Sequence, residues 1–140
     1  MGHVLWANIA NQAKLCGAES DLKALYDLRS RLDKIMLEIR CRPLAEMIDI
    51  TDLSVNMDVL ELPEGMESTT ELMMAEGVWI DADVARRDLE KLRDHLNETR
   101  PKLGLLKDKR PQVIEELDEV LEFISKNAEP GARFNFCEVM

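Results

Sequence analysis

LAEMIDITDLSVNMDVLELPEGMESTTELMMAEGVWIDAD, residues 44–83, holds eleven carboxylates (Glu46, Asp49, Asp52, Asp58, Glu61, Glu64, Glu67, Glu71, Glu76, Asp81 and Asp83) and no lysine or arginine. Its apolar residues alternate. Ile48 and Ile50 alternate first, and Leu53, Val55, Met57 and Val59 then alternate across Ser54, Asn56 and Asp58. A period of two is the pattern of half-buried strands. Pro63 and Gly65 punctuate a turn, residues 64–71 read as an exposed loop, and Glu71–Glu76 has the length of a single helical turn. Val78, Trp79 and Ile80 then make a short strand. A strand-rich centre between flanks of helical period points to an α+β chain.

Working toward the N-terminus, residues 4–16 (VLWANIANQAKLC) place Trp6, Ile9, Ala13 and Cys16 at helical spacing, with Gly17 positioned to end a short helix. A strand over Val4–Ile9 is the alternative, since Val-Leu-Trp is a strand-like opening. Ser20 is placed as an N-cap, and Leu25, Leu28, Leu32, Ile35 and Ile39 recur at three and four, which predicts a long amphipathic helix over 21–40. Arg42-Pro43 ends it. Together these segments read as an αα-hairpin over 4–40.

On the other side, Asp81 or Asp83 caps a helix over 82–98 with Ala85, Leu89, Leu92 and Leu96 as its apolar stripe. A basic connector, 99–110, carries Arg100, Lys102, Lys107, Lys109 and Arg110 and reads as a solvated loop. Pro111 opens a second helix over 111–127. Its inner face is Val113, Ile114, Leu117, Val120, Leu121 and Ile124, and Glu115, Glu116, Asp118, Glu119 and Glu122 face outward. Pro130-Gly131 turns the chain into a closing strand over 133–139. The expectation is one domain with about four helices packed on one face of a small, mainly antiparallel sheet. Asp52 and Asp58 would then lie on the sheet's other, exposed face.

The formal charge of −10 is unevenly spread, with −11 in residues 44–83 and +4 in residues 84–110. Such a field attracts cationic partners and opposes direct binding of nucleic acid. No window approaches eighteen consecutive apolar residues and no basic region precedes an apolar signal core, so the expectation is a cytoplasmic protein that does not associate with membranes. Cys16, Cys41 and Cys137 form no CxxC pair, which fits reduced thiols. His3, placed near a fraying end, and His95 beside Asp94 are the two histidines, and neither sits in a catalytic pattern. A calcium loop starting at Asp81 fails at its sixth position, which is Arg86 where a glycine is required. These readings leave no catalytic residue, metal site or cofactor, and point away from an enzyme.

One small acidic chain without a catalytic set, carrying an acidic segment at 44–83 with Trp79 and several methionines close by, resembles the small acidic immunity proteins that bacteria pair with toxins delivered to competitors. That resemblance implies an inhibitor of a basic protein partner such as a nuclease toxin, whose active site is plugged by acidic and aromatic side chains. Asp49, Asp52, Asp58, Glu61, Glu64, Glu67 and Glu71 would bear the contact, with Met66 and Trp79 as apolar centres. The acidic helix 111–127 is the rival surface. A different class, a regulatory or adaptor subunit, would dimerise through the leucine stripe of helix 21–40. An inhibitor would be a monomer, or a weak homodimer, until its partner appears.

Overall fold

The structure is a computed structural model describing residues 2–140. In chain order its elements are β1 (Val4–Asn11), β2 (Lys14–Gly17), α1 (Lys23–Asp27), α2 (Arg29–Glu38), a 3-10 turn (Leu44–Met47) and β3 (Ile48–Asp49). They are followed by α3 (Thr51–Asn56), α4 (Thr69–Glu76), β4 (Ile80–Asp81), α5 (Ala82–Thr99), α6 (Arg110–Asn127) and β5 (Arg133–Val139). The fold is α+β, as the sequence predicts. Its sheet runs β2-β1-β5-β3, with β4 pairing the start of β5. Among the described residues the β3–β5 pair alone is parallel.

The closing strand is the centre of the sheet. Along one edge β5 pairs with β1 over seven residues, from Val4 opposite Val139 to Ala10 opposite Arg133. Along its other edge β4 takes Phe134 and Arg133, and β3 takes Phe136 and Cys137. Phe134 and Phe136 point to one face, where their rings meet edge to face with centroids 5.0 Å apart, a preferred aromatic geometry. Against them pack Leu5, Ala7 and Ile9 of β1 and the buried stripes of α1, α2, α5 and α6. Leu89, Leu92 and Leu96 are wholly buried, each burial stabilising the fold by roughly 1.5–3 kcal/mol.

Helices α5 and α6 lie close to their sequence-predicted bounds, and Asp81 is the cap of α5: its Oδ1 accepts the backbone N–H groups of Asp83 and Val84 at 2.8 and 3.1 Å. The N-terminal helix over 4–16 is corrected to a β-hairpin, so there is no αα-hairpin over 4–40. β1 is covered on both faces, which masks the alternation that marks a strand open to water. Leu5, Ala7 and Ile9 enter the main core while Asn8 and Ala10 are buried on the opposite face. The predicted helix 21–40 is divided at Leu28 into α1 and α2, although the Leu28 N–H still reaches the Ala24 carbonyl at 3.0 Å and the Leu32 N–H the Leu28 carbonyl at 2.9 Å. Beside this junction the Arg29 guanidinium donates to the Tyr26 carbonyl at 2.8 Å.

Ser20 does not cap α1. That role falls to Glu116, whose two carboxylate oxygens accept the Ala24 and Leu25 N–H groups at 3.0 and 2.9 Å. Glu116 therefore faces inward from α6, not outward as its helical position suggests. Asp33 likewise accepts the Leu44 N–H. His3 is not frayed: its Nδ1 lies 2.8 Å from Glu138 Oε1 and 3.3 Å from the Tyr26 hydroxyl.

Partial burial raises the pKa of Glu116 and of Asp33 despite the backbone N–H groups that favour their charged forms. A carboxyl raised in the folded state stabilises the fold below its unfolded pKa, and that contribution is lost as pH rises through the folded value. Acidification also relieves the self-repulsion of a chain at −10. Asp108, lowered by the Leu103 and Arg110 N–H groups, acts oppositely and loses its contribution only as pH falls below the ordinary carboxylate range. The urea midpoint is expected to rise as pH falls through the upper carboxylate range toward about pH 4, and to decline at lower pH as groups such as Asp108 protonate. A midpoint that falls steadily from neutrality downward would contradict this balance.

Candidate functional site

Both ends of the stretch 50–79 are tied to the same edge of β5, through β3 before it and β4 after it. The chain thus leaves the sheet edge, makes a thirty-residue excursion, and returns beside its point of departure. Asp49 fastens this neck. Its carboxylate, 2% exposed, accepts the Thr51 N–H at 3.0 Å, the Thr51 hydroxyl at 3.0 Å, and across the neck the Val78 N–H at 2.9 Å. Gly77 is required by close packing here: a Cβ on it would stand 2.5 Å from the Met73 carbonyl oxygen and 2.7 Å from Asp49 Oδ1. Asn135 closes the arrangement from β5, donating to the Val78 carbonyl at 2.9 Å.

Inside the excursion the alternation over 53–59 is corrected from strand to helix. Thr51–Asn56 forms α3, after which residues 57–60 fold back so that the N–H groups of Val59 and Leu60 both reach the Ser54 carbonyl. These side chains lie outside the main core, so no buried face sorts them. Ile50, Met57, Val59 and Leu60 are all exposed, Val59 at 77%. The predicted loop and single turn over 64–76 resolve into a turn and helix α4, whose N-cap Ser68 accepts the Glu71 N–H at 3.3 Å. The Ser68-x-x-Glu71 spacing was the available signal for it, since serine followed three residues later by glutamate is a helix-start pattern.

The excursion lies against the sheet face that the sequence reading left open to solvent, so that face is partly covered. Asp52 contributes to the packing: its two oxygens accept Asn56 Nδ2 at 3.0 Å and Thr69 Oγ1 at 2.7 Å, linking α3 to α4. Beneath them Asn8 Nδ2 donates to Asn135 Oδ1 at 3.1 Å and to Cys137 Sγ at 3.3 Å. Burial pushes the Cys137 thiol upward, so it stays protonated near neutrality and is no nucleophile. Between this polar sheet face and the α3–α4 pair is a cavity of about 510 Å³. On another side of α4, a shallower groove of about 700 Å³ runs past Met66, Glu71 and Met74 to the β1–β2 turn.

The nine residues expected to bear a partner contact therefore separate into two sets. Asp58, Glu61, Glu64, Glu67 and Glu71 are exposed, and Met66 is half-buried in the groove wall. Asp49, Asp52 and Trp79 are held by the fold. Trp79 donates its indole N–H to the Met73 carbonyl at 2.9 Å and carries the Arg133 guanidinium 5.2 Å from its ring. Among the described residues, none of the exposed carboxylates from Asp58 to Glu76 is within ion-pair distance of a cation. The rival helix α6 is different, with Asp118 paired to Arg93, Glu122 to Lys126, and Glu116 engaged as a cap.

Two further features bear on function. Leu105 and Leu106 in the basic connector are 95% and 98% exposed, on a turn closed by Asp108, which accepts the Leu103 and Arg110 N–H groups. The connector's charge count gives no sign of this. The leucine stripe of helix 21–40 is used within the fold: Leu25, Leu32 and Ile35 are in the core and Leu28 and Ile39 pack on it. Among the described residues no helix is long and apolar enough to cross a membrane, and no cluster of three or more metal-ligating side chains occurs. The chain matches no protein-family model, no curated protein and no solved structure.

Proposed function

We propose that this chain is a non-catalytic, protein-binding inhibitor that neutralises a basic partner, an immunity protein against a bacterial toxin such as a nuclease. The observation that carries the reading is the excursion itself. It is a segment pinned at its neck that presents unpaired carboxylates beside exposed apolar side chains, with no cation of its own. Unpaired charge raises encounter rates with an oppositely charged surface, and Met57, Val59 and Leu60 supply area that a partner can bury. Asp58, Glu61, Glu64, Glu67 and Glu71 are the contact carboxylates in this reading, and Met66 lies at the groove. Asp49, Asp52 and Trp79 act indirectly by holding the excursion in place. The dimerising adaptor draws no support from the helix 21–40 stripe, because its leucines are packed in the core.

Capture from the native host by the tagged protein, at low and at moderate salt, tests the proposal. The expected result is one basic protein held in stoichiometric amount and released by salt. Recovery of the chain alone, or of an acidic protein insensitive to salt, would overturn it.

A further inference from the structure

Leu105 and Leu106 are more exposed than any other large apolar side chain among the described residues. The turn that carries them is firmly built. Leu103, wholly buried, anchors it in the core, and the Leu103 carbonyl accepts the Lys109 N–H at 2.6 Å. Asp108 closes it by accepting the Leu103 and Arg110 N–H groups at 2.9 and 3.0 Å. Gly104, with φ at +106°, makes the reversal: a Cβ on it would stand 2.6 Å from the Lys107 carbonyl oxygen, so glycine is required here. The fold thus holds two adjacent leucines out in water on a fixed turn, an exposure that is unfavourable unless something covers them.

The charge around the tip says what covers them. Residues 99–110 carry Arg100, Lys102, Lys107, Lys109 and Arg110 against one acid, Asp108. Arg100, Lys102 and Lys107 are exposed, and among the described residues no carboxylate lies within ion-pair distance of any of the three. An apolar tip flanked by unpaired cations matches the layering of an anionic bilayer, where acyl chains lie beneath headgroup phosphates. A fluid acyl layer accepts leucines without a fitted pocket, whereas nucleic acid binds through stacking on aromatic rings, which this turn lacks. The chain's charge of −10 does not oppose the contact. The neck of the acidic excursion lies where α5 begins and the connector where α5 ends, so eighteen helical residues hold them about 27 Å apart. Exposed charges are largely screened beyond about 8 Å at physiological ionic strength. We infer that residues 102–107 form a peripheral docking tip for an anionic lipid surface. Leu105 and Leu106 enter the acyl boundary, and Arg100, Lys102 and Lys107 face the headgroup phosphates. Such docking needs no membrane-crossing helix, and a two-leucine tip does not register in a hydropathy window. It stands independently of the inhibitor reading.

Flotation of the full chain with lipid vesicles tests the inference, using phosphatidylcholine that carries about 30% phosphatidylglycerol against phosphatidylcholine alone. The expected result is co-flotation with the anionic vesicles, weakened by added salt, and partition at least about tenfold weaker into the neutral ones. Leu105→Ser combined with Leu106→Ser should lower partition into anionic vesicles at least about tenfold. Its melting temperature should stay that of the parent, because both side chains lie outside the core. Lys102→Gln combined with Lys107→Gln keeps the leucines and should weaken binding about threefold or more, with a shallower salt dependence. A parent chain that stays behind in the presence of anionic vesicles, or a leucine variant that floats as well as the parent, would overturn the inference. So would a chain that ignores vesicles yet self-associates through the leucines, which would assign the tip to a second copy.

Discussion

Asp49→Ala is expected to lower the stability of the protein by about 3–5 kcal/mol and to release the excursion 50–79 from the sheet edge. The carboxylate is buried and accepts three hydrogen bonds, two from the backbone N–H groups of Thr51 and Val78. Removing it strands those donors away from water, and each stranded group costs about 1–3 kcal/mol. Asn at this position keeps one acceptor oxygen and should recover part of the loss. Hydrogen exchange provides the local readout: the Thr51 and Val78 amides should lose protection in Asp49→Ala before the core strands do. Stability within about 0.5 kcal/mol of the parent would show that the neck is held by something else. This result also governs how the acidic surface is tested, because a variant set including Asp49 would confuse loss of charge with loss of structure.

Phe136→Ala should cost a comparable amount, about 3–5 kcal/mol, by leaving a cavity that the surrounding structure fills incompletely. Phe136 is wholly buried, stacks edge to face on Phe134, and lies on the one strand that pairs with β1, β3 and β4. β5 (Arg133–Val139) and its partner β1 (Val4–Asn11) lie far apart in sequence. Sheet assembly thus waits on contacts of the greatest sequence separation, and such topologies fold slowly. A chemical-denaturation midpoint near that of the parent would mean that the Phe134–Phe136 layer is not the centre of the core.

The helices with water on one side were legible. Ala85, Leu89, Leu92 and Leu96 are all buried, and so are Val113, Leu117, Val120, Leu121 and Ile124, because solvent on one face sorts residues into a periodic stripe. Where that sorting is missing, the period misleads. β1 is covered on both faces, so Trp6, Ile9, Ala13 and Cys16 fell by chance at helical spacing. Leu53, Val55, Met57 and Val59 alternate with no buried face behind them, and their alternation describes no strand. The charge reading identified the acidic stretch as a unit but not its anchors. Asp49 and Asp58 look alike in sequence, and only the return of the chain beside β3 makes one a buried fastening while the other stays exposed. The Asn8 amide carried no sequence signal, because nothing local tells a strand asparagine facing solvent from one facing a cavity.

The excursion's exposed carboxylates are proposed to bind a basic partner. The most direct measurement is the affinity of the captured partner for the parent chain and for the Asp58→Asn, Glu61→Gln, Glu64→Gln, Glu67→Gln variant across a range of salt concentrations. The prediction is binding weakened at least about tenfold at low salt, with a shallower salt dependence and a melting temperature that is unchanged or higher, since the substitutions also relieve self-repulsion. Equal affinity and equal salt dependence for the two chains would place the interface elsewhere and contradict the account.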